Sequence, residues 1–296
     1  THTSVLRTTN VRLISLPDHK TIRTILDNQA YQDKLSELAL PEVEFFSVET
    51  EEGIKIEGRM MKPLNFDSRK QYPVIFNVYG EPAGLMATDS FVGLWNILLA
   101  QKGYVVIAID PRGTPSLKGS NWRKSIYRQI GRINIKDLGL AAKEIIEFPY
   151  IDANRVGVWG WSGGGSSTLN LLFQYPELFN AGVSVAPVAN QLTYDNIYQE
   201  RYMGLPQENK EDFVAGSPVT HANGLQGKLL LVHGTGDDNV HYQNTEMLIN
   251  ELIKYDKQFQ MMAYPNRTHG IYEGRNTRKH LFTMIYNFFM ENVPVK

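Results

Sequence analysis

Short apolar runs, separated by polar or helix-forming segments, occupy most of the chain from residue 43 onward. Two runs, "VEFFSV" and "IKIEGRMMK", flank the polar stretch "ETEEG", which predicts a β-hairpin. Six further runs follow: "YPVIFNVYG", "YVVIAID", "RVGVWG", "AGVSVA", "KLLLVHG" and "FQMMAY". These six lack a polar face, which is typical of strands that helices cover on both sides of a sheet.

Helical segments lie between most of these strands. "TDSFVGLWNILLAQKG" offers Thr88 or Asp89 as an N-cap and Gly103 as an end, and "NIKDLGLAAKEIIEF" and "HYQNTEMLINELIKYD" predict two more helices. The last helix carries an apolar stripe with helical spacing: Leu281, Met284, Ile285, Phe288 and Phe289. The pattern predicts an α/β fold with a mostly parallel eight-stranded sheet, an antiparallel start and helices on both faces.

Residues 1–40 follow a different pattern. "VRLISL" and "TIRTIL" predict two strands, and "NQAYQDKLSELAL" predicts a helix that ends at Pro41. Because this stretch is too short for a domain, we expect it to be the remnant of a missing N-terminal domain plus a linker. We expect residues 41–296 to form the main α/β domain.

Composition excludes several classes of function. The chain has 296 residues, 42% of them hydrophobic, and a formal net charge of −1, so nothing favours nucleic acid or an anionic membrane as a partner. Because the chain has no cysteine, it has no disulfide, cysteine nucleophile or thiolate metal site. The absence of cysteine is compatible with both oxidising and reducing compartments. Neither a membrane-spanning run, a metal-ligand cluster nor a phosphate-binding loop is evident, so we expect no cofactor and no metal.

The stretch "VGVWGWSGGGSS" places Ser162 between a predicted strand and a predicted helix that extends to about residue 175. "G-W-S-G-G" matches G-x-S-x-G, the nucleophile elbow of α/β-hydrolases. Side chains at Gly160 or Gly164 would crowd such a sharp turn, and the Gly163 N–H at the helix start is placed to stabilise an oxyanion. The alternative is a plain glycine-rich turn with an exposed serine.

A nucleophilic serine needs a base and an acid that orients the base. Of seven histidines, His269 in "YPNRTHGIY" follows the last strand, where the base of an elbow hydrolase is expected, whereas His233 ends a buried strand and is predicted to be structural. "KLLLVHGTGDDNVH" offers Asp237 and Asp238 as the acid, and the residues alone do not choose between them. Asp110 is a rival, but it precedes the serine, which is the wrong order.

A second oxyanion donor is expected in the loop after the third strand. "FNVYGEP" places Tyr79 there, and a tyrosine hydroxyl can donate to an oxyanion. A packed aromatic side chain is the alternative interpretation of this residue.

Six motifs in this order, "DPRGT", "GWSGGG", "VAPV", "YDNIYQERYMGLP", "HGTGDDNVH" and "THGI", give the chain a resemblance to a known family. Over roughly residues 22–296 it resembles the catalytic domain of the prolyl oligopeptidase family, in its dipeptidyl peptidase IV branch. The resemblance implies an α/β-hydrolase fold, Asp237 as the acid, and Tyr79 beside the Gly163 N–H as oxyanion donors. It also implies that Asn239 binds a substrate carbonyl and that a small hydrophobic pocket for proline is lined by Val188, Tyr194, Tyr198 and Val240.

The function that the resemblance implies is a serine exopeptidase that cleaves peptides after a penultimate proline or alanine through an acyl-enzyme. The alternatives are a tripeptidyl peptidase or oligopeptidase of the same family, an esterase on the same fold, and a catalytically silent binding relative. Relatives carry an N-terminal β-propeller that roofs the active site, so residues 1–40 would be what remains where it was attached. They often form homodimers through the catalytic domain and its last helix.

Two positions depart from the family's pattern. Relatives often carry a bulky residue after the nucleophile, where this chain has Gly163, and a tryptophan where it has Gln191. Both departures concern the wall of the expected proline pocket.

Overall fold

The structure is a computed structural model that describes residues 1–82, 84–91 and 93–295. Its N-terminal part is a three-stranded antiparallel sheet of β1 (His2–Ser4), β2 (Arg7–Ile14) and β3 (Thr21–Leu26), followed by helix α1 (Gln29–Ser36). The two predicted strands are confirmed, whereas β1 was not predicted. The predicted helix is confirmed at its start, but it ends at Ser36 rather than at Pro41.

The main sheet has eight strands. They are β4 (Val43–Glu49), β5 (Lys55–Met61), β6 (Tyr72–Asn77), β7 (Val105–Asp110), β8 (Ile151–Trp161), β9 (Ala181–Val185), β10 (Lys228–Gly234) and β11 (Gln260–Tyr264). Their spatial order is β4-β5-β7-β6-β8-β9-β10-β11. Strand β5 is antiparallel to both neighbours and every other pairing is parallel, so the predicted mostly parallel sheet with an antiparallel start is confirmed.

Helices connect most of these strands. They are α2 (Leu94–Gln101), α3 (Ser120–Lys124), α4 (Ile133–Ile146), α5 (Gly163–Gln174), α6 (Asn196–Met203), α7 (Pro206–Gly216), α8 (Gln243–Lys254) and α9 (Thr277–Asn292). Short 3₁₀ turns occupy Gln191–Thr193 and Pro218–Gly224.

The predicted start of α2 was wrong. The helix begins after Gly93, whose positive φ of 76° is a left-handed backbone that does not continue a helix towards the N-terminus. Asp89 does not cap α2, because its Oδ1 accepts a hydrogen bond from the Val5 amide at 3.0 Å. Val92, which the predicted helix includes, lies outside the described residues.

Two hydrophobic cores lie on opposite faces of the main sheet. One packs α4, α5 and α8 against the strands, and the other packs α2 and α9 together with Val5 and Leu35 of the N-terminal part. The apolar stripe of α9 faces this second core: Leu281, Ile285, Phe288 and Phe289 are buried and Met284 is partly buried. No helix within the described ranges is both long enough and apolar enough to cross a membrane.

Candidate active site

Ser162 lies at the sharp turn between β8 and α5. Its backbone angles are φ 60° and ψ −124°, a conformation that costs free energy for any residue other than glycine. The Ser162 amide donates to the Val185 carbonyl of the neighbouring strand β9 at 2.8 Å, which holds the turn in place. A strained serine between a parallel strand and a helix has the geometry of a nucleophile elbow.

The glycines around Ser162 allow two backbone segments to approach each other closely. A Cβ atom on Gly160 would lie 2.3 Å from the Gly164 carbonyl oxygen and 2.6 Å from that of Val78. A Cβ atom on Gly164 would lie 2.3 Å from the same Val78 oxygen. Because the obstructing atoms are backbone, no side-chain rotation relieves these contacts. The elbow therefore requires glycine at both positions.

Asp237 and His269 form a hydrogen-bonded pair. Asp237, in the loop after β10, is 6% exposed, and its Oδ2 lies 2.7 Å from His269 Nδ1 in the loop after β11. Burial alone would raise the pKa of Asp237, but hydrogen bonds from His233, His269 and the Asn239 amide outweigh it and hold that pKa well below its usual range. The ionised carboxylate fixes the imidazole tautomer that leaves Nε2 free to act as a base.

The histidine loop is also tied to the elbow. Trp161, the residue before Ser162, donates from Nε1 to the His269 carbonyl at 2.9 Å. Within the described residues, Ser162 Oγ and His269 Nε2 do not themselves form a hydrogen bond. In structures without substrate, this contact in serine hydrolases is often long and tightens in the complex.

His233 contacts Asp237 as well, a role that the sequence analysis missed. It is fully buried, and its Nε2 lies 3.0 Å from Asp237 Oδ2 and 2.9 Å from the Val240 carbonyl. Two acceptors at Nε2 require a proton there, so Nδ1, 2.7 Å from Thr245 Oγ1, can accept from that hydroxyl. The only sequence signal was the spacing of four residues between His233 and Asp237.

The rival acids lie elsewhere. Asp238 is exposed. Asp110 is buried, and its two oxygens accept from the amides of Met86 and Ala87 at 2.8 and 2.9 Å, so it anchors that loop. Neither carboxylate contacts His269 in the part of the chain that the structure describes.

Tyr79 and Gly163 lie on the two sides of the elbow. The loop after β6 carries Tyr79, whose carbonyl accepts from Ser167 Oγ of α5 at 2.8 Å. Burial, with a smaller effect from Glu81 and Tyr194, raises the pKa of Tyr79 to about 12, so its hydroxyl keeps the proton that a donor needs. Gly163 begins α5, where backbone N–H groups lack partners within the helix.

The predicted pocket residues lie after β9 and β10: Tyr198 is in helix α6, and the others are in loops. The rings of Tyr194 and Tyr198 pack edge to face at 5.4 Å, and the Tyr194 hydroxyl donates to Asn239 Oδ1 at 2.8 Å. Val188 is 5% exposed and Val240 is fully buried, so both pack beneath the surface at this position. A groove of about 500 Å³ opens beside Tyr194 and Asn239. Its other bordering residues are Thr193, Asp195, Asp238 and His241.

Known proteins share both this sequence and this fold. The sequence profile of the prolyl oligopeptidase family matches residues 91–295. The chain is 34% identical over 274 residues to prolyl endopeptidase FAP of Mus musculus, an overlap of 91% of the chain and 36% of that relative. The chain belongs to the prolyl oligopeptidase family. Its fold is accordingly the α/β-hydrolase fold, as predicted.

Other members of the prolyl oligopeptidase family extend the comparison. A protein of Arthroderma gypseum named "Probable dipeptidyl-aminopeptidase B" is 38% identical over 254 residues, which is 84% of the chain and 27% of that relative. The crystal structure of Porphyromonas gingivalis dipeptidyl peptidase 4 matches 99% of the chain with a TM-score of 0.94 and 38% identity. The chain spans 41% of that structure's chain, and so less than half of each of these three relatives.

The two departures from the family's pattern have structural counterparts. Gln191 is buried, and its Oε1 accepts from Gln199 Nε2 at 2.7 Å, so a buried polar pair occupies this position. Beside Gly163 lies the side chain of Glu81, which is 5% exposed and whose Oε2 accepts from the Tyr198 hydroxyl at 2.6 Å. Sequence analysis missed Glu81, because a carboxylate in a loop gives no signal that it is buried.

No set of three or more histidine, aspartate or glutamate side chains is positioned to hold a metal ion in residues 1–82, 84–91 and 93–295.

Proposed function

We propose that the chain is the catalytic domain of a serine exopeptidase that releases dipeptides after a penultimate proline or alanine. One observation carries this proposal: the Asp237–His269 pair, joined at 2.7 Å, is tied through Trp161 to a strained serine at the strand-to-helix turn. Membership of a family of serine peptidases supports the same chemistry.

In the proposed mechanism Ser162 attacks the scissile carbonyl and forms an acyl-enzyme. His269 takes the serine proton and returns it to the leaving amine, while Asp237 holds the imidazole tautomer and stabilises the imidazolium. The Gly163 N–H and the Tyr79 hydroxyl donate to the oxyanion of the tetrahedral intermediate. Water then hydrolyses the acyl-enzyme by the same steps.

The proposed substrate is a peptide whose proline or alanine side chain enters the pocket beside Ser162. Val188, Tyr194, Tyr198 and Val240 would form this pocket, and Asn239 would bind a backbone carbonyl of the substrate. The dipeptidyl assignment is supported by the names of two relatives. The number of residues released depends on which groups bind the amino terminus of the substrate. In the longer relatives, the segments outside this match are available to supply such groups.

We also propose that residues 1–40 join this domain to the remainder of a larger protein. The sheet of β2 and β3 exposes apolar side chains to solvent: Leu13, Ile14, Ile22, Ile25 and Leu26 are each 42% exposed or more. A buried interface with another domain would cover such a surface. A homodimer would have to use a surface other than the stripe of α9, because that stripe faces the core.

The proposal is tested on the full-length protein that contains this chain. A fluorophosphonate probe should label Ser162, as mapped by mass spectrometry, and the label should disappear in Ser162→Ala. Chromogenic substrates of the form Xaa-Pro-amide and Xaa-Xaa-Pro-amide then separate dipeptidyl from tripeptidyl activity.

Three results would contradict the exopeptidase. An unlabelled wild-type protein indicates a silent relative. Labelling with turnover of short acyl esters but not of prolyl amides indicates an esterase. Cleavage of substrates with a blocked amino terminus indicates an endopeptidase.

A further inference from the structure

The position after the nucleophile has no side chain, and a second residue fills the space that one would occupy. A Cβ atom on Gly163 would lie 2.3 Å from Glu81 Cγ, 2.9 Å from its Cδ and 3.2 Å from its Oε1. Glu81 comes from the loop after β6, four residues beyond the end of that strand. The wall beside Ser162 is thus built by a different segment of the chain.

The Glu81 carboxyl is held among tyrosines. Its Oε2 accepts from the Tyr198 hydroxyl at 2.6 Å, and Tyr79 and Tyr194 are close enough for its charge to raise their pKa values. No lysine, arginine or histidine within the described residues forms an ion pair with it. Burial without a cation raises the pKa of Glu81 to about 7, against an ordinary value of 4.5.

The contact with Tyr198 connects Glu81 to the predicted pocket. Tyr198 packs edge to face on Tyr194 and on Tyr202, with ring centroids 5.4 and 4.8 Å apart. Tyr194 in turn donates to the side-chain oxygen of Asn239, and the backbone N–H of Asn239 donates to Asp237 Oδ1 at 2.9 Å. Glu81 is therefore linked, through Tyr198 and Tyr194, to Asn239 on the border of the groove.

We propose that Glu81 is a specificity-determining residue of the pocket beside Ser162. Its side chain fills the volume over Gly163 and holds Tyr198 in place, which restricts the pocket to small uncharged side chains. Large apolar side chains are excluded by volume, and acidic ones are excluded because the Glu81 carboxylate repels them and no cation is paired with it within the described residues. This inference rests on the proposed peptidase function.

The first test compares substrates that differ only in the residue before the cleaved bond. In Glu81→Ala, kcat/KM for leucine relative to proline at that position should rise about tenfold, since a pocket discriminates by volume on this scale. Glu81→Gln is the matched control, because it keeps the volume and an oxygen that accepts from Tyr198. Its ratio should stay within about threefold of the wild-type ratio.

A purely structural role for Glu81 predicts a different result. Glu81→Ala would then lower kcat/KM for all substrates by the same factor and leave the leucine-to-proline ratio unchanged. That outcome would overturn the inference while hydrolysis by the wild-type protein still supported the proposed function.

The second test uses the close contact itself. Gly163→Ala should slow both peptide hydrolysis and fluorophosphonate labelling about tenfold, because the new Cβ overlaps Glu81 Cγ and displaces the backbone beside Ser162, and small misplacements at a reacting centre lower the rate. Adding Glu81→Ala removes the overlapping atoms and should restore most of the rate. A double variant that is no faster than Gly163→Ala would show that Glu81 does not occupy this space.

The labelling assay separates the two proposals. A wild-type protein that reacts with the probe but cleaves no peptide refutes the proposed function and, with it, the specificity role. A wild-type protein that cleaves prolyl peptides, with an unchanged ratio in Glu81→Ala, refutes the specificity role alone. Melting temperatures of the Gly163→Ala and double variants show whether a lost rate reflects unfolding. If Gly163→Ala and the double variant are both unfolded, the leucine-to-proline ratio of kcat/KM in Glu81→Ala tests the specificity role by itself.

Discussion

The two carboxylate oxygens of Asp237 accept hydrogen bonds from two imidazoles and two backbone amides. Oδ2 accepts from His269 and His233, and Oδ1 accepts from the amides of Asn239 and Val240 at 2.9 Å each. Each donor favours the ionised carboxylate, and together they fix its orientation. The loop after β10 therefore positions the acid before any substrate binds.

The neighbouring acids Asp237 and Asp238 provide a matched pair of variants. Asp237→Asn should lower kcat by about 10⁴-fold, because an amide stabilises the wrong imidazole tautomer. Asp238→Asn should leave kcat near the wild-type value, since Asp238 is exposed. Steady-state kinetics on a prolyl amide would measure both, and equal losses would refute the assignment of Asp237.

His233 should act as a positioning residue for Asp237. His233→Leu removes one charge-assisted hydrogen bond and should lower kcat/KM about tenfold to a hundredfold. His233→Gln keeps an N–H donor and should recover part of that loss. If both variants are equally slow, the effect of His233 is packing and not hydrogen bonding.

Glu81 should make stability depend on pH. Below pH 4.5 its carboxyl is protonated in both the folded and the unfolded chain and contributes nothing. As pH rises from 4.5 through 7, the unfolded chain releases the proton first, so the folded state loses about 3 kcal/mol relative to Glu81→Gln. Urea unfolding of both proteins at about pH 4 and about pH 8 would measure this difference, and a constant difference would contradict it.

At the scale of elements, the elbow joins β6, β8 and α5 through backbone contacts. The Val78 carbonyl lies against Gly160 and Gly164 so closely that neither can carry a side chain. Strand β6 and helix α5 are thereby held at one distance, which also fixes the separation of Tyr79 from Ser162. The proposed oxyanion site is a consequence of how these elements pack.

Gly164→Ala tests this packing. The added methyl group would meet the Val78 carbonyl at 2.3 Å, so the variant should lose about 1–3 kcal/mol of stability and most of its labelling by a fluorophosphonate probe. Gln174→Ala, at an exposed position in the last turn of the same helix, is the control and should label normally. Normal labelling of Gly164→Ala would show that the elbow can relax.

The sequence predicted the elements whose buried residues form a regular apolar pattern and missed those whose buried residues do not. Six of the eight main strands were predicted because buried parallel strands form unbroken apolar runs, and β4 and β5 were predicted as a hairpin from the polar stretch between them. Helices α6 and α7 were missed, because their few buried residues, among them Met203 and Phe213, form no apolar stripe. The predicted α2 was too long because hydropathy carries no information on the left-handed backbone of Gly93.

Some residues of the candidate site could likewise be predicted from the sequence, and others could not. Ser162, Asp237 and His269 could be proposed from motif and chain order, because the chemistry requires those residue types after particular strands. His233 and Glu81 could not be assigned contacts, because the sequence does not show that these polar side chains are buried or which groups they meet. Glu81 meets Tyr198, which lies 117 residues further along the chain.

At the scale of the whole molecule, the chain has two unequal parts. The α/β-hydrolase domain has a core on each face of its sheet, whereas the small N-terminal sheet packs onto it mainly through Val5, Leu35 and polar contacts such as Thr3 Oγ1 with the Phe91 amide at 3.1 Å. Every residue of β3 is exposed. The N-terminal sheet therefore depends on the larger domain for its position.

Within the described residues β3 pairs only with β2, and its other edge, beside Ile22, Ile25 and Leu26, belongs to no sheet. An open apolar edge is a template for strand addition by a second molecule. Preparations of this chain alone should therefore form concentration-dependent oligomers, and Ile25→Lys should shift them towards monomer in sedimentation experiments. A dimer that Ile25→Lys abolishes would rest on the edge of β3, whereas a dimer that survives the substitution would rest on the α/β-hydrolase domain.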